Sequence, residues 1–333
     1  MIRLRFVDQK RGRHPGFTLA ELLVAIAIIG MLATMALGAF YVTREQARAT
    51  RTRATIAKIN RLLLERYENY LARRAPITTA GLPPRVAAER RLNAIRDLIR
   101  MEMPQCFSEI TQGPLVFTSP FPPPNGSQYS IPQPAIHRVY QQRLAQSNAT
   151  PDHQSAECLY MILTVGPQSA RDQFADYEIA DTDQDGLPEF VDGWGRPIRF
   201  LRWAPGIVDS DIQPRVVDAN GAFDPIAAVE AVKNDYDPFD SRKVDYSVDT
   251  AGPNFPPRSW RLMPFVYSAG ADGVYDIYDI EHVASQAGPN APELTWIGNP
   301  YYFWDGKQRV VNTLGKSTGS GFADNIHNHR VAQ

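Results

Sequence analysis

The chain has 333 residues, a formal net charge of −1 at pH 7 and 21% charged residues, a composition that excludes an intrinsically disordered protein. This length is enough for a membrane helix and one large or two small soluble domains. Two cysteines, Cys106 and Cys158, exclude a disulfide-rich scaffold and leave open either one bridge or two buried thiols. Basic residues cluster before about residue 100, but no nucleic-acid motif accompanies them, so we expect no nucleic-acid partner.

The N-terminus joins a basic leader to a long apolar run. Residues 1–16 contain five basic side chains and one aspartate, and Leu22–Val42 contains no charge. As a helix this run is about 31 Å long, close to the roughly 30 Å hydrocarbon core of a bilayer. Glu21 precedes the run, where a carboxylate is unfavourable unless an opposite charge compensates it. The basic leader predicts a single-pass orientation with the leader inside and the rest of the chain outside the cytoplasm.

The sequence GFTLAE at Gly16–Glu21, followed by LLVAIAIIG at Leu22–Gly30, resembles the class III signal of type IV pilins and type II secretion pseudopilins. The resemblance implies that a prepilin peptidase cleaves after Gly16 and methylates Phe17. It also implies that Glu21, fifth from Phe17, pairs with the amino terminus of a neighbouring subunit during filament assembly. The alternative is a plain signal-anchor whose glutamate reaches the membrane interface.

The rest of the sequence predicts an α+β fold, and the resemblance implies the pilin-like form of it. In that form a long N-terminal transmembrane and stalk helix carries a globular head of helices and a small antiparallel sheet. Apolar residues at spacings of three and four predict that the helix continues to about Ala75 with one buried face: Ile56, Ile59, Leu63, Tyr67 and Tyr70.

The predicted organisation has five parts. They are a leader at 1–16; an N-terminal helix at 17–75, with 17–42 in the membrane; a helical part at 76–165; a β-rich part at 166–314 with a surface insertion at 205–261; and a flexible tail at 315–333. Helices are expected at Val86–Met103 and Ala135–Ala149, and Ser155–Val165 is expected as an apolar helix or another buried segment. A loop is expected at Gly113–Pro134, and strands within Arg196–Trp203, Pro264–Gly270 and Pro300–Gly306.

The acidic segment DTDQDGLPEFVD at Asp181–Asp192 has the spacing of a calcium loop, with Gly186 at the turn position. The hydrated acidic turn is the alternative. Because a strand pattern follows Pro188, we expect a free-standing loop rather than a helix–loop–helix unit. The predicted oxygen ligands are Asp181, Asp183, Asp185, the Leu187 carbonyl, Glu189 and Asp192.

Two further segments resemble parts of the major pseudopilins of type II secretion. DGWGRP at Asp192–Pro197 is similar to a hairpin of that family, and SAGADG at Ser268–Gly273 is similar to its C-terminal loop. In the family this loop holds a structural calcium ion. The resemblance therefore implies a second set of candidate ligands, Asp272, Asp276 and Asp279. A tight acidic turn without an ion is the alternative.

No catalytic constellation is evident, so the sequence favours a structural protein rather than an enzyme. We expect a pseudopilin-like subunit at the inner membrane that assembles into a periplasmic or surface filament. The resemblance implies as partners copies of itself, other pseudopilin subunits, the prepilin peptidase and the inner-membrane assembly platform. A membrane-anchored extracytoplasmic enzyme or binding protein is the alternative.

Overall fold

The computed structural model describes residues 18–119, 126–166, 169–218, 222–245, 259–280, 295–296, 299–304 and 309–330. The chain divides into two compact units, residues 1–47 and 48–333. The predicted α+β fold is confirmed. The described helices are α1 Leu19–Ala72, α2 Pro84–Glu102, α3 Phe107–Thr111, α4 Ala135–Gln146, α5 Gln154–Thr164 and α6 Pro225–Asn234.

Helix α1 begins and ends close to the predicted positions, and its two parts differ in burial. In the first unit the large apolar side chains from Leu19 to Val42 are exposed. In the second unit, the predicted apolar face of α1, which includes Ile59 and Leu63, is buried. The spacing of three and four therefore identified the core-facing stripe correctly.

Helix α5 is the centre of the second unit. Ten of its eleven residues are buried, and the helix packs against β4 (Glu189–Phe190) and β5 (Arg199–Leu201). Both cysteines are buried and free, so they fill the core as thiols. Burial raises the pKa of the Cys158 thiol, which keeps it protonated.

The predicted antiparallel strands are present, and within the described residues they form four small sheets. The segment Gly113–Pro134, expected as a loop, contains a paired hairpin because Phe117 and Tyr129 stack across it with ring centroids 5.4 Å apart. The sheets are β1 Phe117–Ser119 with β2 Ser127–Tyr129, β3 Ile179–Ala180 with β4, β5 with β6 Phe265–Ser268 and β10 Ile326–His327, and β7 Thr295–Trp296 with β8 Tyr302–Trp304 and β9 Arg309–Val311.

Residues 205–261, expected as a surface insertion, contribute to the core. Trp260 is 1% exposed. Arg96 on α2 is also buried, and its guanidinium donates to Asp237 at 2.8 Å and to Asp245 at 2.5 Å. Composition misled here, because two of the aspartates that suggested a surface loop, Asp237 and Asp245, are ion-pair partners of a buried arginine.

The segment from Gly315 onward, expected as a flexible tail, is also packed as far as it is described. Ile326 and His327 form β10 against β6. His329 is fully buried, and its Nδ1 lies 3.0 Å from the Ser210 hydroxyl. The glycine and histidine content suggested mobility, but backbone pairing and aromatic packing against Phe265 hold this end in place.

We predict that Asp237→Ala destabilises the protein by about 3–5 kcal/mol, because Arg96 stays buried with one of its two partners removed. The full chain in detergent is unfolded with urea. Asp235→Ala is the matched control, since Asp235 binds the partly exposed Arg261 at 2.8 Å and its loss costs about 0–1 kcal/mol. If Asp237→Ala lowers the unfolding free energy by no more than about 0–1 kcal/mol, as expected for Asp235→Ala, an integral role for residues 205–261 is contradicted.

We predict that acid destabilises the fold through His329. Burial lowers the pKa of His329 from 6.5 to about 3, so the unfolded chain binds the extra proton between these values. This contribution is therefore complete well above pH 6.5 and falls as the pH drops, so that at pH 5 about 2 kcal/mol is lost relative to high pH. Urea unfolding at several pH values should show a smaller acid loss for His329→Gln, and an unchanged pH profile would refute the assignment.

Candidate functional site

The described chain begins beside the predicted processing site, with Thr18 capping helix α1. The Thr18 backbone N–H and hydroxyl both donate to a Glu21 carboxylate oxygen at 2.9 Å, and the Glu21 N–H donates to the Thr18 hydroxyl oxygen at 3.2 Å. This reciprocal arrangement is a capping box. Gly16 and Phe17 lie outside the described residues. Thr18 was not among the predicted site residues, although a threonine three residues before a glutamate ahead of an apolar run signals this cap.

The helix that follows Glu21 exposes its apolar side chains. Leu32 is 60% exposed and Phe40 is 68% exposed. Within the described residues, α1 is the helix that is long and apolar enough to cross a membrane. A contiguous apolar surface of this length is far larger than a soluble monomer normally leaves in water.

A second cluster of polar groups lies in the loop between β3 and β4. These strands pair antiparallel, so the acidic segment is a free-standing hairpin loop, as expected. Gly186 has φ +95°, a conformation that other residues rarely adopt. Asp181 accepts hydrogen bonds from the backbone N–H groups of Asp185 and Gly186, each at 3.1 Å. Hydrogen bonds to the Asp181 carboxylate therefore hold the backbone of the loop in a turn.

Three of the predicted ligands converge in this loop. Carboxylate oxygens of Asp181, Asp183 and Asp185 lie within 4.8 Å of one another. Thr150 holds two of these carboxylates in place. Its N–H donates to Asp185 at 3.0 Å, and its hydroxyl donates to Asp183 at 2.9 Å. Leu187 lies in the same loop and donates its N–H to Asp185 at 2.8 Å.

Asp183 also belongs to a deeper group of acids. Its carboxylate lies within 4.8 Å of carboxylate oxygens of Glu157 on α5 and Glu189 on β4. Both glutamates are fully buried. The second oxygen of Asp183 is inaccessible and accepts no hydrogen bond from the described residues. Sequence reasoning missed Glu157, because only the packing of α5 on β4 brings it to the loop.

The electrostatics of this deeper group favour either a proton or a cation. Burial, together with the negative charges of Asp183 and Asp181, raises the pKa of Glu189 to about 7. Two hydrogen bonds from Thr182 only partly offset this effect. Carboxylate oxygens in this number are the donors that a hard divalent cation prefers, so the residues fit calcium.

Asp192 does not join either group of acids. One of its oxygens accepts hydrogen bonds from the backbone N–H groups of Trp194 and Arg196, and the other accepts one from the Ser268 hydroxyl at 2.6 Å. This corrects the expectation that Asp192 is a ligand: the short strand β4 carries it away from the loop, and it instead closes the predicted hairpin at 192–197.

The same hairpin is fixed to α1 at Gly193. Its backbone N–H donates to the Thr52 hydroxyl at 2.9 Å. A β-carbon at Gly193 would lie 2.3 Å from the Arg48 carbonyl oxygen, so no other residue fits here without movement of the backbone. The motif therefore serves close packing of the loop on the helix.

The three residues of the second predicted ligand set do not share one environment. Asp272 donates its backbone N–H to Asp324 at 3.1 Å, and Asp276 accepts from the Gly321 N–H at 2.8 Å, so both face the turn near the C-terminus. Asp279 is instead buried and binds Arg199 at 2.8 Å and Tyr267 at 2.7 Å. This corrects the expectation for Asp279, whose charge is neutralised by Arg199.

The comparison with known families agrees with the N-terminal pattern. Residues 11–37 match the family described as the prokaryotic N-terminal methylation motif. No curated protein and no solved structure was found to match the chain. The chain therefore carries a prepilin signal of the type IV pilin and pseudopilin kind, followed by the long helix and α+β fold that accompany such a signal.

Proposed function

We propose that this chain is a pseudopilin-like structural subunit of a type II secretion or type IV pilus-like filament, with no catalytic role. The observation that carries the proposal is the prepilin signal at residues 11–37, which leads directly into a helix whose apolar side chains are exposed. Prepilin peptidase cuts after Gly16 and methylates Phe17. The helix holds the subunit in the inner membrane, with the second unit outside the cytoplasm, until the assembly platform extracts it.

Assembly replaces one apolar environment of the helix by another. The residues Leu22–Val42 contact lipid before extraction and the helices of other subunits afterwards, so little apolar surface enters water. In the single chain, the Glu21 carboxylate accepts hydrogen bonds from the N–H and the hydroxyl of Thr18. In the filament the Phe17 amine of a neighbouring subunit adds a full positive charge in a medium of low dielectric, which fixes the axial register.

We predict that Glu21→Val is processed and inserted but does not assemble. The substitution removes a charge that is costly in a membrane and leaves the neighbour's amine without its partner. The full-length variant is expressed with its secretion or pilus system, its N-terminal mass is measured, and cross-linking reports incorporation into filaments. Glu45→Gln on the same helix is the control and should assemble normally.

The mass measurement distinguishes a failure of the pilin-like role from a failure of the proposed Glu21 pairing. A mature chain that begins elsewhere than at Phe17 would refute the pilin-like role altogether. A chain that begins at methylated Phe17 and assembles normally with Glu21→Val would refute only the pairing.

A calcium ion at the Asp181–Glu189 loop is the second part of this proposal. The ion supplies positive charge among buried carboxylates, and the candidate ligands are Asp181, Asp183 and Asp185, with Glu157 and Glu189 beneath them. Asp183 is the residue shared by both groups. Its orphaned, inaccessible oxygen supports the proposal, because a buried acceptor without a partner costs free energy that a cation removes.

We predict that calcium raises the unfolding free energy of the full chain in detergent by about 2.7 kcal/mol at a hundredfold excess over Kd. Magnesium should stabilise it less, because it gives up its water ligands reluctantly. Asp183→Asn keeps the shape of the side chain and should abolish most of the response, whereas Asp272→Asn should leave it intact. The reverse result would place the ion in the second loop, and no response in the unmodified chain would refute calcium binding.

A further inference from the structure

An extended groove runs beside the last turns of α1, in the second unit of the chain. An open cleft of about 810 Å³ is lined by side chains from residues 70–80, from α2 and from residues 238–242. A neighbouring cleft of about 370 Å³ shares Tyr70 and Arg73 with it. A third cleft shares Arg74 and Thr78. We call these three adjoining clefts the arginine groove.

The charge of the arginine groove is not balanced by its own acids. Arg74, Arg91 and Arg242 line the main cleft and are exposed. None of the three forms an ion pair within the part of the chain that the structure describes. As far as the described residues go, these three guanidinium groups are available to an anionic ligand.

The two acids on the walls of the groove are already engaged. Glu102 accepts hydrogen bonds from Tyr70 at 2.7 Å and from Arg73 at 2.5 and 2.9 Å. Asp240 is 1% exposed and accepts from the Tyr236 hydroxyl at 2.6 Å and the Val244 N–H at 2.8 Å. Neither carboxylate neutralises the three exposed arginines.

The apolar residues that line the main cleft, which we call its floor, include Leu71, which is 48% exposed. Leu92 is 4% exposed and Ile95 is 8% exposed. Phe239 packs edge-on against Tyr67, with ring centroids 5.2 Å apart. A ligand that fits this surface carries anionic groups to meet the rim and apolar groups to cover the floor.

We propose that the arginine groove binds an extended acidic peptide segment of another protein. Guanidinium groups pair with carboxylates through two parallel hydrogen bonds, so three arginines spread around the main cleft suit successive acidic side chains. A single small anion contacts one or two arginines and leaves the apolar floor and the adjoining clefts empty. This surface goes beyond the filament role, which uses the N-terminal helix.

The test measures fluorescence anisotropy of a short labelled peptide of alternating glutamate and leucine with the full-length chain in detergent. We expect saturable binding that weakens with salt, because exposed charge pairs are screened. The triple variant Arg74→Glu, Arg91→Glu, Arg242→Glu should bind about tenfold more weakly or worse. The triple variant Arg53→Glu, Arg138→Glu, Arg143→Glu, at exposed arginines outside the groove, carries the same charge change and is the matched control, which should bind as the unmodified chain does.

Two further peptides define the ligand class. A glutamate–serine peptide should bind more weakly than the glutamate–leucine peptide, because it leaves the floor uncovered, and a lysine–leucine peptide should not bind. The proposal is overturned if the triple variant binds normally, or if inorganic phosphate at equal concentration displaces the peptide as well as unlabelled peptide does. Equal melting temperatures of the variants show that the arginine changes did not unfold the chain.

Discussion

The apolar surface of Leu22–Val42 is the constraint on which the behaviour of this protein depends. The fold leaves these side chains exposed, and full burial of each large one is worth about 1.5–3 kcal/mol. Water is therefore not a stable environment for this part of the helix. A bilayer or a bundle of similar helices supplies the missing burial, and a prepilin signal sits at the start of the same helix.

The second unit of the chain buries several charged side chains in its interior. Arg96 is paired with Asp237 and Asp245, and Arg202 is held by Glu109 through two hydrogen bonds of 2.6 Å. Such pairs tolerate burial only when their geometry is complete. They tie α2 and α3 to residues 202–245, so segments that look like separate insertions in the sequence contribute to one interior.

The acidic loop shows how the same interior creates a candidate binding site. Its spacing in the sequence places oxygen atoms at the positions that a calcium ion uses, and the structure brings Asp181, Asp183 and Asp185 together. Glu157 of helix α5 brings a further carboxylate close to Asp183. Thr150, shortly before that helix in the chain, donates a hydrogen bond to Asp183. The local pattern therefore predicted four of the five clustered acids, and packing supplied the fifth, Glu157.

The sequence by itself determined the features that depend on neighbouring residues. Uninterrupted apolar character set the N-terminal helix, spacing of three and four set its buried face, and Gly186 with the aspartates around it set the hairpin loop. Tertiary structure decided the features that depend on residues far apart in the chain. It carried Asp192 and Asp279 away from their predicted roles, packed the histidine-rich segment into the core, and placed Arg74, Arg91 and Arg242 around one groove. The physical reason is that a charged or polar side chain has several alternative partners, and only the folded chain determines which of them lies within hydrogen-bonding distance.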